Sequence, residues 1–298
     1  MLEVENLSLK LNEKKVIDNM SLQLEKGKVL GLVGPSGVGK TSLIRALVGI
    51  YEGDSGQVLV NGEKLYDNPL AKVKIAYVPD EHNSFSIIKL VDIVEFYRGI
   101  YPKFDENKFN KINKIFKIPL DKRFFQLSKG MKVRVNLMLA LSIGGEYLVL
   151  DEPTSGLDPI LKEKVLRLII REVEEFGAGV IISSHHLDEL ERVCDDIIMI
   201  DNGKIAYHNS LEGMKKNIKK IQVAFDGPVY EEDLNIEGIF SINHLGRVFT
   251  IITDKYDEKF KSELKKFNPL FIEEIDLSLE EVFINKLDTG DDYEEIFK

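Results

Sequence analysis

The chain has a single cysteine, Cys194, among 298 residues. An intrachain disulfide is therefore excluded, as suits a reducing compartment. Basic excess is also missing. Lys and Arg number 40 against 50 Asp and Glu, a formal net charge of −10, and no basic cluster dominates, so nucleic acid is not expected as the main partner. No stretch approaches the ~20 apolar residues needed to span a bilayer. The opening residues, MLEVENLSLKL, alternate as a strand does and lack the basic-then-apolar form of a signal peptide. These absences point to a cytosolic chain, to which another polypeptide would have to supply any path through a membrane. The remaining composition, 44% hydrophobic and 30% charged, is ordinary for a globular protein and ample for one large domain plus a small one.

What the chain does carry is concentrated in two places. Lys28–Val33 reads as a buried strand running into Gly34, Pro35, Ser36, Gly37, Val38, Gly39, Lys40 and Thr41, with a helical run over Ser42–Val48. This is the phosphate-loop pattern GxxxxGK[ST]. Its glycines let several backbone N–H groups converge on one anion, and the helix N-terminus adds partial positive charge there. Lys40 can then reach terminal phosphates, and the Thr41 hydroxyl can ligate Mg²⁺. The second place is residues 127–158, LSKGMKVRVNLMLALSIGGEYLVLDEPTSGLD. Here the apolar run Tyr147–Leu150 is stopped by Asp151 and Glu152, the form of a buried strand whose tip delivers carboxylates to a bound nucleotide. Acidic pairs are common on solvated surfaces, but this one follows a strand and precedes Pro153, which favours chemistry. His82, His208 and His244 stand in polar or strand contexts and read as incidental. Cys194, at the end of a helix over Asp188–Cys194, reads as a small apolar packing residue.

In kind, order and spacing these segments resemble the ATP-binding subunit of an ATP-binding-cassette (ABC) transporter, over roughly residues 1–215. Gly34–Thr41 is similar to Walker A, Leu127–Met131 to the family signature, Leu148–Asp151 to Walker B, and Ser155–Asp158 to the D-loop. His185, in Ile181–His186, is similar to the switch histidine and better placed for it than His186. The resemblance implies an α/β fold: a P-loop NTPase nucleotide-binding domain with a helical subdomain over about residues 84–143. It also implies ATP and Mg²⁺. Glu152 would polarise the attacking water, and His185 would contact the γ-phosphate or that water. Thr41 and Asp151 would hold the metal, while residues 34–42, Ser42 included, and Asp158 would line the nucleotide. Ser128 and Gly130 would close over the Walker A of a second ABC ATPase subunit. One Walker A and one signature per chain require such a partner, in a homodimer or a heterodimer.

Three departures from the family pattern stand out. Where an aromatic usually stacks on adenine the chain has Leu11, so adenine is expected to lean on Leu11 and Val16, with loose base selectivity. Pro79 is followed by Asp80 and Glu81 rather than by the usual glutamine. Asp80 could still ligate the metal, but it adds negative charge beside ATP and predicts slow hydrolysis without a partner. The signature has Lys129 and Met131 for a glycine and a glutamine, yet keeps Ser128 and Gly130. That version resembles the ABC-2 type exporters.

Helical spacing appears over Ile87–Tyr101, Lys108–Phe116 and Val133–Leu141, with Ser128 where a helix N-cap would sit. Ile197–Ile200 and Lys204–Tyr207 flank the turn Asp201–Gly203 and read as a hairpin. From about residue 216 a second pattern begins. Lys220–Phe225, Gly238–Asn243, Val248–Thr253 and Leu270–Ile275 read as strands, with helices over Glu231–Leu234, Tyr256–Phe267 and Ser278–Leu287. This is a small α+β module over 216–298 in ferredoxin-like order, with an acidic tail at Thr289–Lys298. Ser278–Phe283 has capping-box spacing and resembles the Leu-Glu-x-Val-Phe element that ends many ABC-2 exporter ATPases.

The sequence thus predicts an ATPase subunit on the cytoplasmic face of the cell membrane, powering export through a separate multi-span permease. Its coupling surface is expected around Asp80–Ile88 and the following helix, with Phe85 as a candidate contact. The competing class is a soluble ABC ATPase serving a cofactor-assembly or nucleic-acid machine; no tandem cassette or long heptad insert favours it. The Asp80 departure gives a direct test. Asp80→Gln should raise the steady-state ATPase rate of the isolated chain several-fold, and an unchanged rate would remove charge tuning from this position.

Overall fold

In a computed structural model, which describes residues 1–80 and 85–287, the chain divides into two compact units, Met1–His208 and Asn209–Lys298. Glu81, His82 and the tail Thr289–Lys298 lie outside the described residues. In the first unit, β1 (Leu2–Leu11) pairs antiparallel with β2 (Lys14–Leu24) and with β4 (Ser55–Val60), and β5 (Glu63–Lys64) pairs with β4. The second sheet contains β3 (Val29–Val33), β6 (Ile75–Val78), β7 (Tyr147–Asp151), β8 (Gly179–Ser183), β9 (Asp196–Asp201) and β10 (Lys204–Ser210), in the order β10-β9-β3-β8-β7-β6. From β6 to β9 its neighbours run parallel. Every residue of β3, β7 and β8 is buried. That burial on both faces is why these strands read as unbroken apolar runs rather than as alternation.

The helix that follows the phosphate loop, α1 (Lys40–Leu47), is held between the two sheets. Leu43, Ile44, Ala46 and Leu47 share one buried cluster with Leu2, Val4 and Ile17 of the antiparallel sheet and Leu30, Leu32 and Ile198 of the parallel one. The loop is thus anchored at its C-terminal end by burial of a whole helical face, at roughly 2 kcal/mol per large side chain.

After the short α2 (Pro69–Lys72), the helical subdomain comprises α3 (Leu90–Ile100), α4 (Glu106–Phe116) and α5 (Lys129–Ser142). Their bounds differ from the apolar spacing because caps and pairing decide them. Lys89 is extended and bridges to Arg123, and the Ile88 carbonyl accepts from Phe124 N, so α3 starts only at Leu90. In contrast, α4 and α5 start earlier than their spacing suggests. Asp105 accepts from Lys108 N at 2.8 Å, and Ser128 accepts from Met131 N at 3.3 Å. The remaining helices of this unit are α6 (Pro159–Phe176), capped by Asp158, and α7 (Leu187–Val193). Cys194 follows α7 in extended conformation, with its Sγ 2.9 Å from where a Cβ on Gly31 would stand. Burial pushes its thiol well above the ordinary range, so it packs as a small apolar group over β3.

The second unit contains α8 (Leu211–Asn217), β11 (Lys219–Phe225), β12 (Ile239–Leu245), β13 (Val248–Thr253), α9 (Glu258–Lys265), β14 (Pro269–Ile275) and α10 (Leu279–Leu287). Its sheet is antiparallel in the order β12-β13-β11-β14, the ferredoxin-like arrangement. The expected helix at Glu231–Leu234 is only a 3₁₀ turn, Glu231–Asp233. Leu234, Val229 and Ile236 instead cover the core beside Phe260 and Leu264 of α9, which Asp257 caps. Ser278 and Glu281 form the reciprocal capping box at α10.

One ion pair joins the helical subdomain to the parallel-sheet core. Lys108 Nζ of α4 lies 2.5 Å from the Glu172 carboxylate of α6 and 3.9 Å over the Phe176 ring. Burial raises the Glu172 pKa and Lys108 counteracts that rise. Lys108→Met should therefore cost about 2 kcal/mol in urea unfolding, because an unpaired carboxylate is left partly buried. Adding Glu172→Leu should recover most of that loss.

Candidate active site

Three glycines shape the loop between β3 and α1. Gly34 has φ 151° and a Cβ there would stand 2.3 Å from the Ile200 carbonyl; Gly39 has φ 113° and would collide with the Val16 carbonyl at 2.5 Å. Gly37 is also left-handed, at φ 81°. No side chain fits the first two positions, so the backbone path of the loop is set by its packing on β9 and β2. Pro35, Ser36 and Gly37 are exposed at the crest, with Val38 half-buried. Lys40 curls over the loop, its Nζ donating to the Gly34 carbonyl at 2.6 Å and the Pro35 carbonyl at 2.9 Å. Burial lowers the Lys40 pKa, and the charges of Glu152 and Asp151 oppose that shift. Thr41 and Ser42 open α1 beside it.

The carboxylates arrive from the tip of β7. Asp151 is 2% exposed. Its pKa is raised by burial and by the charges of Asp80 and Glu152, against the hydroxyls of Ser183 and Thr41. Its Oδ1 accepts from the Ser183 hydroxyl at 2.7 Å, while Oδ2 is buried with no hydrogen-bond partner. An open carboxylate oxygen next to a threonine hydroxyl suits a hard cation. Among the described residues no group of three or more His, Cys, Asp or Glu side chains could hold a metal ion, so this would be a site completed by phosphate or water oxygens. Tyr77, on the adjacent strand β6, is pushed up to about 12 by burial and by Asp151, and remains a neutral phenol. The charge of Asp80 reaches both Asp151 and Tyr77.

Glu152 has φ 51°, in the left-handed region where a non-glycine residue is strained. Its side chain meets His185 Nδ1 at 2.7 Å. The ring of His186 lies against His185 rather than at the carboxylate, its centroid 4.1 Å away. His208 and His244 are elsewhere, the latter stacked on Phe249. Leu11 and Val16 are half-buried against the core at the end of β1 and the start of β2.

Ser128 and Gly130 belong to a different cluster. A Cβ on Gly130 would lie 3.2 Å from Leu157 Cδ2 and 3.5 Å from the Gly156 carbonyl, and the Lys129 stem runs beside Gly156. Arg134 donates to the Gly130 carbonyl at 3.0 Å and feels the charge of Asp158, which itself caps α6 by accepting from Leu161 N. The signature therefore rests on the D-loop of its own chain.

A family model described as ABC transporter matches residues 17–155. The ABC transporter ATP-binding protein YtrB of Bacillus subtilis is 33% identical over 290 residues, covering 96% of this chain and 98% of that protein. The chain belongs to the ATP-binding proteins of ABC transporters. It is an ATPase. The lantibiotic transport ATP-binding protein SrtF of Streptococcus pyogenes is 31% identical over 76% of this chain and 99% of its own length. Among solved structures, a dimeric post-hydrolysis state of the cassette MJ0796, bound to ADP and phosphate, shares the fold. Its TM-score is 0.65 at 22% identity, over 71% of this chain and 99% of that one.

Two features of this cassette were not read from its sequence. Thr154, just after Glu152, donates its hydroxyl to Glu189, and Lys162 Nζ pairs with the same carboxylate at 2.8 Å. Glu189 is 4% exposed, so this knot ties the loop after β7 to α6 and α7. Ser183 is the other, fully buried and level with Asp151 across the parallel pair. Neither has a motif; a polar residue ending an apolar strand was the only available signal for Ser183.

The orphaned Asp151 oxygen has a cost that can be measured. Because its folded pKa lies above the usual 3.8, the ionised form is penalised in the folded state. The penalty is absent below the unfolded pKa and grows as pH rises through the folded one. Asp151→Asn should stabilise the nucleotide-free cassette by about 1 kcal/mol near neutral pH, with little gain at about pH 3. Urea unfolding at both pH values reads the difference, and ATPase activity should be lost.

Proposed function

We propose that this cassette is the ATP-hydrolysing subunit of an exporter, driving a separate multi-span membrane subunit by closure of a head-to-tail cassette pair. The observation that carries this reading is the separation of its two half-sites. Lys40, Thr41, Asp151, Glu152 and His185 gather around the phosphate loop, whereas Ser128 and Gly130 sit with the D-loop. A second cassette turned about a two-fold axis would bring signature to phosphate loop twice over, with Asp158 at the seam.

Within each composite site the loop N–H groups and Lys40 would bind the phosphates, and Leu11 and Val16 would support the base. Glu152 would accept the proton of the water attacking the γ-phosphate. His185, hydrogen-bonded to that carboxylate through Nδ1, would hold it in place and offer its other nitrogen to the phosphate. Thr41, Asp151 and Asp80 would hold Mg²⁺, which when bound neutralises phosphate charge. Ser128 would donate from the partner's side.

Coupling to a membrane subunit is supported by the outer face of the helical subdomain. Val91, Phe96 and Ile100 of α3 are each about half exposed, and Ile87 is 74% exposed. Phe85 packs edge-on against Phe96 and Tyr97, so it buttresses this face. No helix among the described residues is long and apolar enough to cross a membrane, so the permease would be a separate span-bearing chain at whose cytoplasmic face the cassette works. The Lys129 and Met131 signature, the α10 element Leu279–Phe283 and the likeness to SrtF favour export.

Light scattering of Glu152→Gln with and without Mg-ATP tests the closure. A doubling of mass on ATP is expected, since the base is removed while the phosphate contacts remain. A mass that stays monomeric while ATP binds would overturn self-pairing and point to a different partner cassette.

A further inference from the structure

Two carboxylates only one residue apart in sequence must do different things at this site, and a single hydroxyl stands between them. Ser183 ends β8 directly opposite Asp151 in the parallel register and has no solvent exposure. Its Oγ donates to Asp151 Oδ1 at 2.7 Å and accepts from the Glu152 backbone N at 3.1 Å. The same N–H also reaches the Ser183 carbonyl at 3.2 Å. A hydroxyl has one proton to give. Spent on Asp151, it leaves only lone pairs facing Glu152, and a backbone N–H is the one neighbour that can use them. The serine proton and the Glu152 N–H thus fix each other's direction.

We infer that Ser183 is a positioning residue, which orients Asp151 toward the metal and holds Glu152 in its strained conformation. The inference rests on the roles proposed above for Asp151 and Glu152. By engaging Oδ1, Ser183 stops the Asp151 carboxylate from turning and leaves Oδ2 as the single open oxygen, the one without a hydrogen-bond partner. By gripping the Glu152 N–H from two atoms of one residue, it stabilises a φ of 51° that the chain would otherwise relax. Two residues further on, His185 holds the Glu152 side chain. One turn of chain after β8 therefore sets the backbone and carboxylate of Glu152 together with the face that Asp151 presents. No other hydroxyl among the described residues hydrogen-bonds both Asp151 and the Glu152 backbone.

The test compares Ser183→Ala with Ser183→Thr in the full chain, using Glu152→Gln as the control for the underlying reading. Three quantities are measured: nucleotide binding by a fluorescent ATP analogue in EDTA, the Mg²⁺ concentration that half-saturates the metal-dependent gain in that binding, and kcat and KM for ATP. Ser183→Ala should leave binding in EDTA unchanged, raise the half-saturating Mg²⁺ about tenfold, and lower kcat about tenfold with KM little altered, since one hydrogen bond to a charged group is lost. Ser183→Thr, which keeps the hydroxyl, should recover most of both effects. If the half-saturating Mg²⁺ and kcat stay at wild-type values, or if binding in EDTA falls in parallel with them, the serine is only a packing residue and the inference is overturned. Should Glu152→Gln retain hydrolysis, or wild-type binding show no response to Mg²⁺, it is the assignment of Glu152 and Asp151 that fails instead.

Discussion

The parallel pairing of β7 with β8 puts Asp151 level with Ser183, and the chemistry end of the molecule is built on that register. Slide one strand by a residue and every side chain would change faces. Glu152 would lose its backbone partner, and His185 would point away from it. Because both faces of β7 and β8 are buried, such a slip would have to repack side chains on both sides of the sheet at once. The site therefore borrows its precision from the core, and its strained glutamate is paid for by apolar strands that tolerate only one alignment.

The same logic runs through the phosphate loop. Its glycines lie where neighbouring carbonyls of Ile200 and Val16 leave no room for a Cβ. Those carbonyls belong to β9 and β2, so the loop is moulded by both sheets at once. With α1 buried between those sheets, the loop begins and ends on fixed supports. A flexible glycine-rich segment becomes a rigid cradle because its surroundings, not its own propensities, choose the path. The signature cluster is different in kind. It lies on the exposed D-loop side, with Gly156, Ser128 and Lys129 all open to solvent.

Much of this was legible in the sequence because local chemistry demanded it. Gly34–Thr41 carries its phosphate-loop pattern in consecutive residues, and Ser128 and Ser278 announce helix starts through their own side chains. The second unit's strand order followed from alternation and spacing, although its first crossover proved to be a turn capped by apolar loop residues. What could not be read depends on partners far apart in the chain. Ser183 acquires its meaning only through a register set by hydrogen bonds 32 residues away. The Thr154–Glu189–Lys162 knot joins residues separated by 35 and 27 positions. Extended pairing at Lys89 shortened a helix whose apolar spacing was otherwise sound.

Lys40 already has oxygen partners in the carbonyls of Gly34 and Pro35. A phosphate arriving there exchanges one satisfied ammonium for another, so the lysine contributes a difference rather than a full bond. That difference grows with the charge delivered to it, since a neutral carbonyl competes poorly against an anion. A ligand that stops short of the lysine leaves the original contacts intact and gains nothing from it. What the lysine adds thus depends on how much anionic charge displaces the two carbonyls that hold it.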